Sequence, residues 1–129
     1  MLRDFVRRGL ELFWLIPRTE VTATVQLRHP AADDLRQDRL VIVRGETDKW
    51  ALMRCPCGCG ERLQLSLARE RRPRWRLEVD HLGRPTLAPS VRMQDGCRAH
   101  FHLRSGKVEW CRDSGSRPLD LYGVHEGRT

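Results

Sequence analysis

The sequence predicts a mainly β fold, a small antiparallel β domain preceded by one helix. Apolar and polar residues alternate in several short segments, which is the pattern of half-buried strands. Turn-forming Gly and Pro residues separate these segments. The chain has 129 residues, the size of one domain. We expect a single domain over 1–129, with a helix over 1–17, a β core over 20–112 and a partly ordered tail over 113–129.

The N-terminal segment has the periodicity of an amphipathic helix. Apolar side chains from Leu2 to Trp14 fall mostly on one side, and Pro17 ends the pattern. We expect this helix to cover a sheet rather than to bind a membrane. Beyond it the apolar period changes to two, and roughly seven short strands follow. The strand over 86–91 contains Pro89, so it is expected at a sheet edge or at a bend.

The best-defined element is a hairpin near the C-terminus. Segments 98–104 and 107–111 flank Ser105 and Gly106, a two-residue loop typical of tight hairpin turns. This loop predicts the pairing of the two strands, with an apolar face and a polar face. The apolar pairs are Leu103 with Val108 and Phe101 with Trp110, and the others are His102 with Glu109, as a charge-assisted pair, and His100 with Cys111.

The composition is strongly basic. There are 24 basic and 17 acidic residues, a formal net charge of +7, and all basic residues except Lys49 and Lys107 are arginines. This balance suits contact with nucleic acid or with an acidic protein, although a well-solvated surface is the interpretation we favour. The densest run, from Arg69 to Arg76 around Trp75, has the same two interpretations: a phosphate-binding strip or a solvated connector.

The chain is expected to be cytoplasmic. No stretch of 18 apolar residues exists to span a membrane. Asp4 and Glu11 interrupt the apolar N-terminus, which argues against a secretory signal. In a reducing compartment, five clustered cysteines indicate a metal site rather than disulfides.

Metal ligands are the strongest chemical signal. Cys55, Cys57 and Cys59 alternate with Pro and Gly, and Cys97 begins a C-x-x-H step that ends at His100. Thiolates at such spacing favour zinc or an iron–sulfur centre. The set exceeds four ligands, so two choices stay open: the four cysteines alone, or His100 in place of one of them. Cys111, predicted opposite His100, ranks third and is more simply a small apolar residue at a strand end.

The same residues allow two further kinds of metal site. A catalytic zinc can be held by Cys57, Cys97 and His100, with an open water position and Glu61 as base. A Rieske-like cluster would need His102 to join His100, and that alternating spacing is unusual.

Ser90 is the remaining candidate for chemistry. A lone serine after a proline is usually a turn residue, and a nucleophile needs an adjacent base. The chain has no G-x-S-x-G motif and is too short for an α/β-hydrolase. The residues alone therefore do not make Ser90 catalytic.

A family resemblance changes the weight of Ser90. From Trp50 to Cys111 the chain runs C-P-C-G-C-G-E, a leucine strand, W-x-L, L-x-P-S, C-x-x-H-F and V-x-W. This order resembles a small bacterial family of unknown function encoded beside ubiquitin-like proteins and E1- and E2-like conjugation enzymes. That family is linked to serine-protease processing of the ubiquitin-like proteins.

The resemblance implies a set of site residues. It implies that Ser90 is the nucleophile and His100 its base. It further implies metal ligands at Cys55, Cys57, Cys59 and Cys97. Two departures matter: Ala99 stands where the family commonly has serine, which would weaken the site if that hydroxyl is needed, and P-S-V-R-M-Q replaces P-S-I-G-N-W.

The resemblance therefore predicts an enzyme. It would be a peptidase that processes the C-terminus of a bacterial ubiquitin-like protein or removes it from targets, using a Ser90/His100 dyad next to a structural zinc. The backbone N–H groups of Gly58 and Gly60 are candidate oxyanion donors, and Glu109 or Asp95 could orient the imidazole. Expected partners are the ubiquitin-like protein and E1- or E2-like enzymes. The alternative is a non-enzymatic zinc module that binds nucleic acid.

Overall fold

Two four-stranded sheets and one helix make up the part of the chain, residues 2–115, that a computed structural model describes. In each sheet, neighbouring strands are also consecutive along the chain, so each sheet is built from one half of the chain. The elements are α1 (Leu2–Leu12), β1 (Thr22–Gln26), a 3₁₀ turn (Ala32–Asp34), β2 (Arg39–Arg44), β3 (Asp48–Arg54), β4 (Arg62–Ser66), β5 (Arg76–Val79), β6 (Pro85–Arg92), β7 (His100–Arg104) and β8 (Lys107–Trp110). The fold is mainly β, as the alternation predicts.

The first sheet has the order β1-β2-β3-β4 and one parallel pair. Strands β1 and β2 are parallel, whereas β2, β3 and β4 pair antiparallel. Parallel neighbours need a connection long enough to return the chain to the same end of the sheet. Residues 27–38, with the 3₁₀ turn, supply it.

The second sheet has the order β5-β6-β7-β8 and is antiparallel throughout. The predicted hairpin register is confirmed, with Phe101 opposite Trp110, and His102 opposite Glu109. Its loop takes positive φ at both Ser105 (47°) and Gly106 (75°). That backbone matches the twist of the flanking strands and explains why a two-residue loop joins them.

Strand β6 lies inside the second sheet, so the expectation of an edge strand is wrong and the expectation of a bend is right. Leu87 pairs with Leu103 and Val91 with Phe101, which sets a longer stretch of β6 against a shorter one of β7. This bulge contains Pro89. A proline has no N–H for the ladder, and a bulge removes the need for one.

The two sheets share one apolar core. Buried side chains from both sheets belong to a single cluster that includes Leu40, Met53, Leu87, Phe101 and Leu103. A smaller cluster lies on the other face of the first sheet, around Leu35, Val41, Val43 and Leu52. The first sheet is thus covered on both faces, and the second sheet keeps one face for polar residues.

Helix α1 is shorter than expected and turns the opposite way. Its buried residue is Arg7, whereas Leu2, Phe5 and Leu12 are exposed. Arg7 donates to Asp4 Oδ1 (2.7 Å) and to the Leu82 carbonyl (3.3 Å). The polar face of the helix, with Arg7, therefore packs inward, and the apolar face is exposed. The expectation that the apolar face covers a sheet is wrong. No helix among the described residues has the length and apolar character needed to cross a bilayer.

Candidate functional site

Four cysteines converge from the two sheets. Cys55, Cys57 and Cys59 lie on the connection from β3 to β4, and Cys97 lies between β6 and β7. Their sulfur atoms all lie within 4.8 Å of one another. Cys55 Sγ is 3.4 Å from Cys57 Sγ and 3.7 Å from Cys97 Sγ. A tetrahedral ion with metal–sulfur bonds of about 2.3 Å would space its sulfurs by about 3.8 Å, so the four thiols fit such an ion closely.

A tight backbone turn presents the first three thiols. Cys55 N–H donates to the Glu61 carbonyl (2.8 Å), and Gly58 N–H donates to the Cys55 carbonyl (3.1 Å). Gly58 and Gly60 have φ of 91° and 89°, a region that favours glycine. Glu61 N–H also donates to Cys59 Sγ (3.4 Å). The turn is therefore arranged to point sulfur atoms at one centre.

The four thiols differ in exposure: Cys55 is buried, Cys57 and Cys97 are partly buried, and Cys59 is exposed. Cys55 is fully buried, and burial raises the pKa of its thiol well above the usual range. Burial also raises the pKa of the Cys59 thiol. Metal binding requires thiolates, and a cation supplies the charge that stabilises them. The cluster can hold a metal ion, and such an ion would join the first sheet to the second.

His100 and Cys111 are not part of this cluster. Both lie in a separate group with Asp113, in which potential ligand atoms are within 4.8 Å of one another. Of the two open ligand choices, the geometry assembles the four-cysteine set. It does not assemble the catalytic zinc site with His100 and Glu61, nor a Rieske-like pair of histidines beside two cysteines.

Ser90 and His100 meet on the outer face of the second sheet. Val91, Ala99 and Phe101 point into the core, so the residues alternating with them, Ser90 and His100, point outward. Ser90 comes directly after Pro89 in the bulge of β6, a feature that re-aims side chains. Its Oγ lies 3.0 Å from His100 Nε2. The dyad that the resemblance implies is thus in hydrogen-bonding contact.

Asp113 completes the arrangement. Its Oδ1 lies 2.6 Å from His100 Nδ1. Neither residue expected in this role has it, because the Glu109 carboxylate accepts from Arg104 (2.5 Å) and the imidazole partner is Asp113 rather than Asp95. Both ring nitrogens of His100 therefore have partners, Ser90 at Nε2 and Asp113 at Nδ1.

The segment that carries Asp113, the first part of the predicted partly ordered tail, is anchored. Ser114 N–H donates to the Cys111 carbonyl (3.1 Å), and Gly115 N–H donates to the Arg98 carbonyl (2.7 Å). His100 N–H donates in turn to Ser114 Oγ (3.0 Å). Residues 113–115 therefore belong to the site, and the rest of the predicted tail lies outside the described residues.

Asp113 is held as an anion. Its hydrogen bond to His100, followed by that to Arg92, lowers the pKa of the carboxyl to about 2. Arg92 Nη2 lies 2.5 Å from Oδ2, on the side away from the imidazole. An anionic carboxylate can only accept, so Nδ1 of His100 carries the proton. Nε2 then presents its lone pair to the Ser90 hydroxyl, the orientation a general base requires.

Two other expectations about the site change with the structure. Gly58 N–H is engaged within its own turn, which removes it as an oxyanion donor. Ala99 is fully buried with its side chain in the core, on the opposite side of the strand from His100. A serine hydroxyl at this position would not face Ser90, so the departure at Ala99 does not remove a group from the dyad.

The arginine-rich run has its aromatic residue turned inward. Trp75 packs against the core, and its Nε1–H donates to the Ser90 carbonyl (3.3 Å). Arg71 lies over the ring of Trp50, 5.1 Å from its centroid. Neither feature forms the exposed aromatic platform that single-stranded nucleic acid requires. The nucleic-acid alternative loses its main structural support.

A serine hydroxyl, an imidazole and a carboxylate hydrogen-bonded in this order form the type of site used by serine hydrolases. Comparison with protein families agrees: residues 27–111 match the family described as "Bacterial ubiquitination-like system serine protease (BubE)", and the chain belongs to this family. The match includes Ser90, His100 and the four cysteines and stops before Asp113. Searches of curated proteins and of solved structures found no match.

Proposed function

We propose that this chain is a serine peptidase that processes the C-terminus of a bacterial ubiquitin-like protein or removes that protein from its targets. The observation that carries the proposal is the continuous hydrogen-bonded chain from Ser90 Oγ through His100 to Asp113, with separations of 3.0 Å and 2.6 Å. The family description supports serine protease chemistry and a ubiquitin-like system. The ubiquitin-like substrate and E1- or E2-like partners belong to the proposal.

The first half of the reaction forms an acyl-enzyme. Ser90 Oγ attacks the scissile carbonyl carbon while His100 Nε2 takes the hydroxyl proton. Asp113 stabilises the imidazolium through the Nδ1–H bond. His100 then gives its proton to the leaving amine as the C–N bond breaks, and the acyl group remains on Ser90.

The second half returns the enzyme to its starting state. His100 Nε2 takes a proton from water, and the resulting hydroxide oxygen attacks the ester carbonyl. The Ser90–acyl bond breaks, and the proton on Nε2 returns to Ser90 Oγ. The product is a free carboxylate, which is the form a ubiquitin-like modifier needs before activation for conjugation.

The four cysteines hold a structural zinc in this proposal. Four thiolates fill a tetrahedral zinc and leave no open position for water or substrate, so the ion stabilises the fold. Cys97 lies three residues before His100, on the connection that also follows Ser90. Fixing Cys97 to the β3–β4 turn therefore limits the movement of His100 relative to Ser90. A cytoplasmic location is part of the proposal, because thiols remain reduced there.

A two-part experiment tests the proposal. A bacterial ubiquitin-like protein with a short C-terminal extension is incubated with wild type, Ser90→Ala and Ser105→Asn, and a fluorophosphonate probe is used in parallel. Ser105 is an exposed hairpin serine whose positive φ asparagine tolerates, so this variant is the matched control. We expect Ser90→Ala to lose about 10⁴-fold in rate and all probe labelling. Equal cleavage by Ser90→Ala would refute the proposal.

A further inference from the structure

A groove lined by arginines lies beside Ser90. It is about 290 Å³ in volume and is lined by Arg72, Arg74, Arg76, Ala88 and Pro89. Pro89 directly precedes Ser90, and Ala88 pairs with Arg76 across β5 and β6. We call this feature the arginine groove. Since consecutive Cα atoms are about 3.8 Å apart, its wall reaches within roughly 7 Å of the Ser90 backbone.

The local sequence R-W-R explains why two arginines line the groove. Trp75 is half-buried, packs on the core and donates from Nε1 to the Ser90 carbonyl (3.3 Å). In extended backbone, the neighbours of an inward side chain point outward. Arg74 and Arg76 are therefore directed away from the core on either side of the tryptophan that holds Ser90. The same residue positions the serine and the two charges next to it.

The charges in the groove are not neutralised within the described residues. The ion pairs found between residues 2 and 115 involve other basic residues, and no carboxylate lines the groove. Arg72 donates to the carbonyls of Arg69 (2.9 Å) and Arg71 (2.8 Å), and Arg74 donates to that of Leu67 (3.4 Å). A guanidinium has five N–H donors, so these bonds leave donors for a ligand.

We propose that the arginine groove binds an acidic side chain of the polypeptide substrate, close to the scissile bond. The inference rests on the proposed function, because it assigns the groove as a specificity site for cleavage at Ser90. An extended substrate advances about 3.3 Å per residue, so the Asp or Glu lies within about three residues of the cleaved bond. Guanidinium groups bind carboxylates in a planar, bidentate manner, which suits this ligand.

Matched peptides test the assignment. Cleavage sites are first mapped with a proteome-derived peptide library, and peptide pairs that differ only by Glu or Gln near the cut are then compared. We expect wild type to prefer the Glu peptide about three- to tenfold in kcat/KM, with the preference falling as salt rises. In Arg74→Gln/Arg76→Gln, kcat/KM for the Glu peptide should fall to that for the Gln peptide, which removes the preference. Arg28→Gln, the control, removes one exposed charge outside the groove and should keep the preference for the Glu peptide.

Charge reversal and a binding assay complete the test. Arg74→Glu/Arg76→Glu should prefer a Lys peptide over the Glu peptide. An unchanged Glu preference in the double Gln variant overturns the assignment. The assignment is also overturned if the double Gln variant loses binding to a fluorescent single-stranded oligonucleotide but keeps the Glu preference. That result would make the groove a nucleic-acid site. If wild type cleaves nothing and the fluorophosphonate leaves Ser90 unlabelled, the proposed function fails. In that case the groove is tested by fluorescence anisotropy of the Glu and Gln peptides with Ser90→Ala. The groove assignment then requires tighter binding of the Glu peptide.

Discussion

Replacing Asp113 by asparagine should disable His100 through its protonation state. The carboxylate accepts on both sides, from His100 Nδ1 at 2.6 Å and from Arg92 Nη2 at 2.5 Å. An amide has one accepting oxygen and one donating nitrogen. Arginine can only donate, so the amide oxygen stays with Arg92 and the NH₂ group faces Nδ1. The proton of His100 then moves to Nε2, which can no longer accept from Ser90.

The size of this effect follows from exposure. In a catalytic triad, the wrong histidine tautomer costs about 10⁴-fold in rate. The Asp113 side chain is 55% exposed, so water competes for its place and softens the loss. We expect Asp113→Asn to lower the rate by about 10²–10³-fold, equal to about 3–4 kcal/mol of activation free energy.

Removing Arg92 should partly rescue this variant. In Arg92→Met/Asp113→Asn, the amide is free to turn its oxygen to Nδ1, which restores the productive tautomer. We expect the double variant to react about tenfold faster than Asp113→Asn, one tenfold step being about 1.4 kcal/mol. Arg92→Met alone should slow the enzyme by less than about tenfold, because exposed ion pairs contribute about 0.2–1 kcal/mol.

The assay is the second-order rate of Ser90 phosphonylation by a fluorophosphonate, followed by intact mass. This rate reports the nucleophile without requiring the natural substrate. Circular dichroism and thermal melting verify that each variant is folded. A double variant slower than both single variants would refute the tautomer argument and leave Asp113 with a purely electrostatic role.

Three further predictions concern the metal, the core and pH. Metal analysis should find about one ion per chain in wild type and in Cys111→Ser but far less in Cys59→Ser, and equal loss in both variants would contradict the four-cysteine site. Ala99→Ser should lower the free energy of unfolding in urea by about 1–3 kcal/mol without raising the rate, since it places a hydroxyl in the apolar core, and a faster enzyme would contradict this placement. The carboxyl pKa of Asp113 is lowered to about 2 from 3.8, so its contribution to stability is present above the higher value and is lost as pH falls through the lower one. The difference in Tm between wild type and Asp113→Asn should therefore be constant above about pH 5 and shrink as pH falls from about 4 through about 2, and an undiminished difference at about pH 2 would contradict this expectation.

Local rules predicted much of the fold. Alternating apolar residues identified the strands, and the two-residue loop at Ser105 and Gly106 determined the register that sets Cys111 beside His100. That register also pointed to the carboxylate partner of His100. Asp113 is the first carboxylate beyond Cys111, which the register sets beside His100. The signal was not sufficient, since polar composition alone does not distinguish an anchored turn from a tail. The parallel pairing of β1 and β2 likewise depends on the path of the chain between them.

The sequence by itself determined which chemistry is available: thiols at ligand spacing, a serine after a proline, and a histidine three residues beyond a cysteine. These follow from residue type and short spacing, which need no knowledge of the fold. Only the tertiary structure decided how they are combined. Separate backbone segments had to meet before His100 could be assigned to Ser90 and Asp113 instead of to the cysteines. The orientation of α1 was also decided there, because Arg7 donates to the Leu82 carbonyl, a distant acceptor that helical periodicity could not reveal.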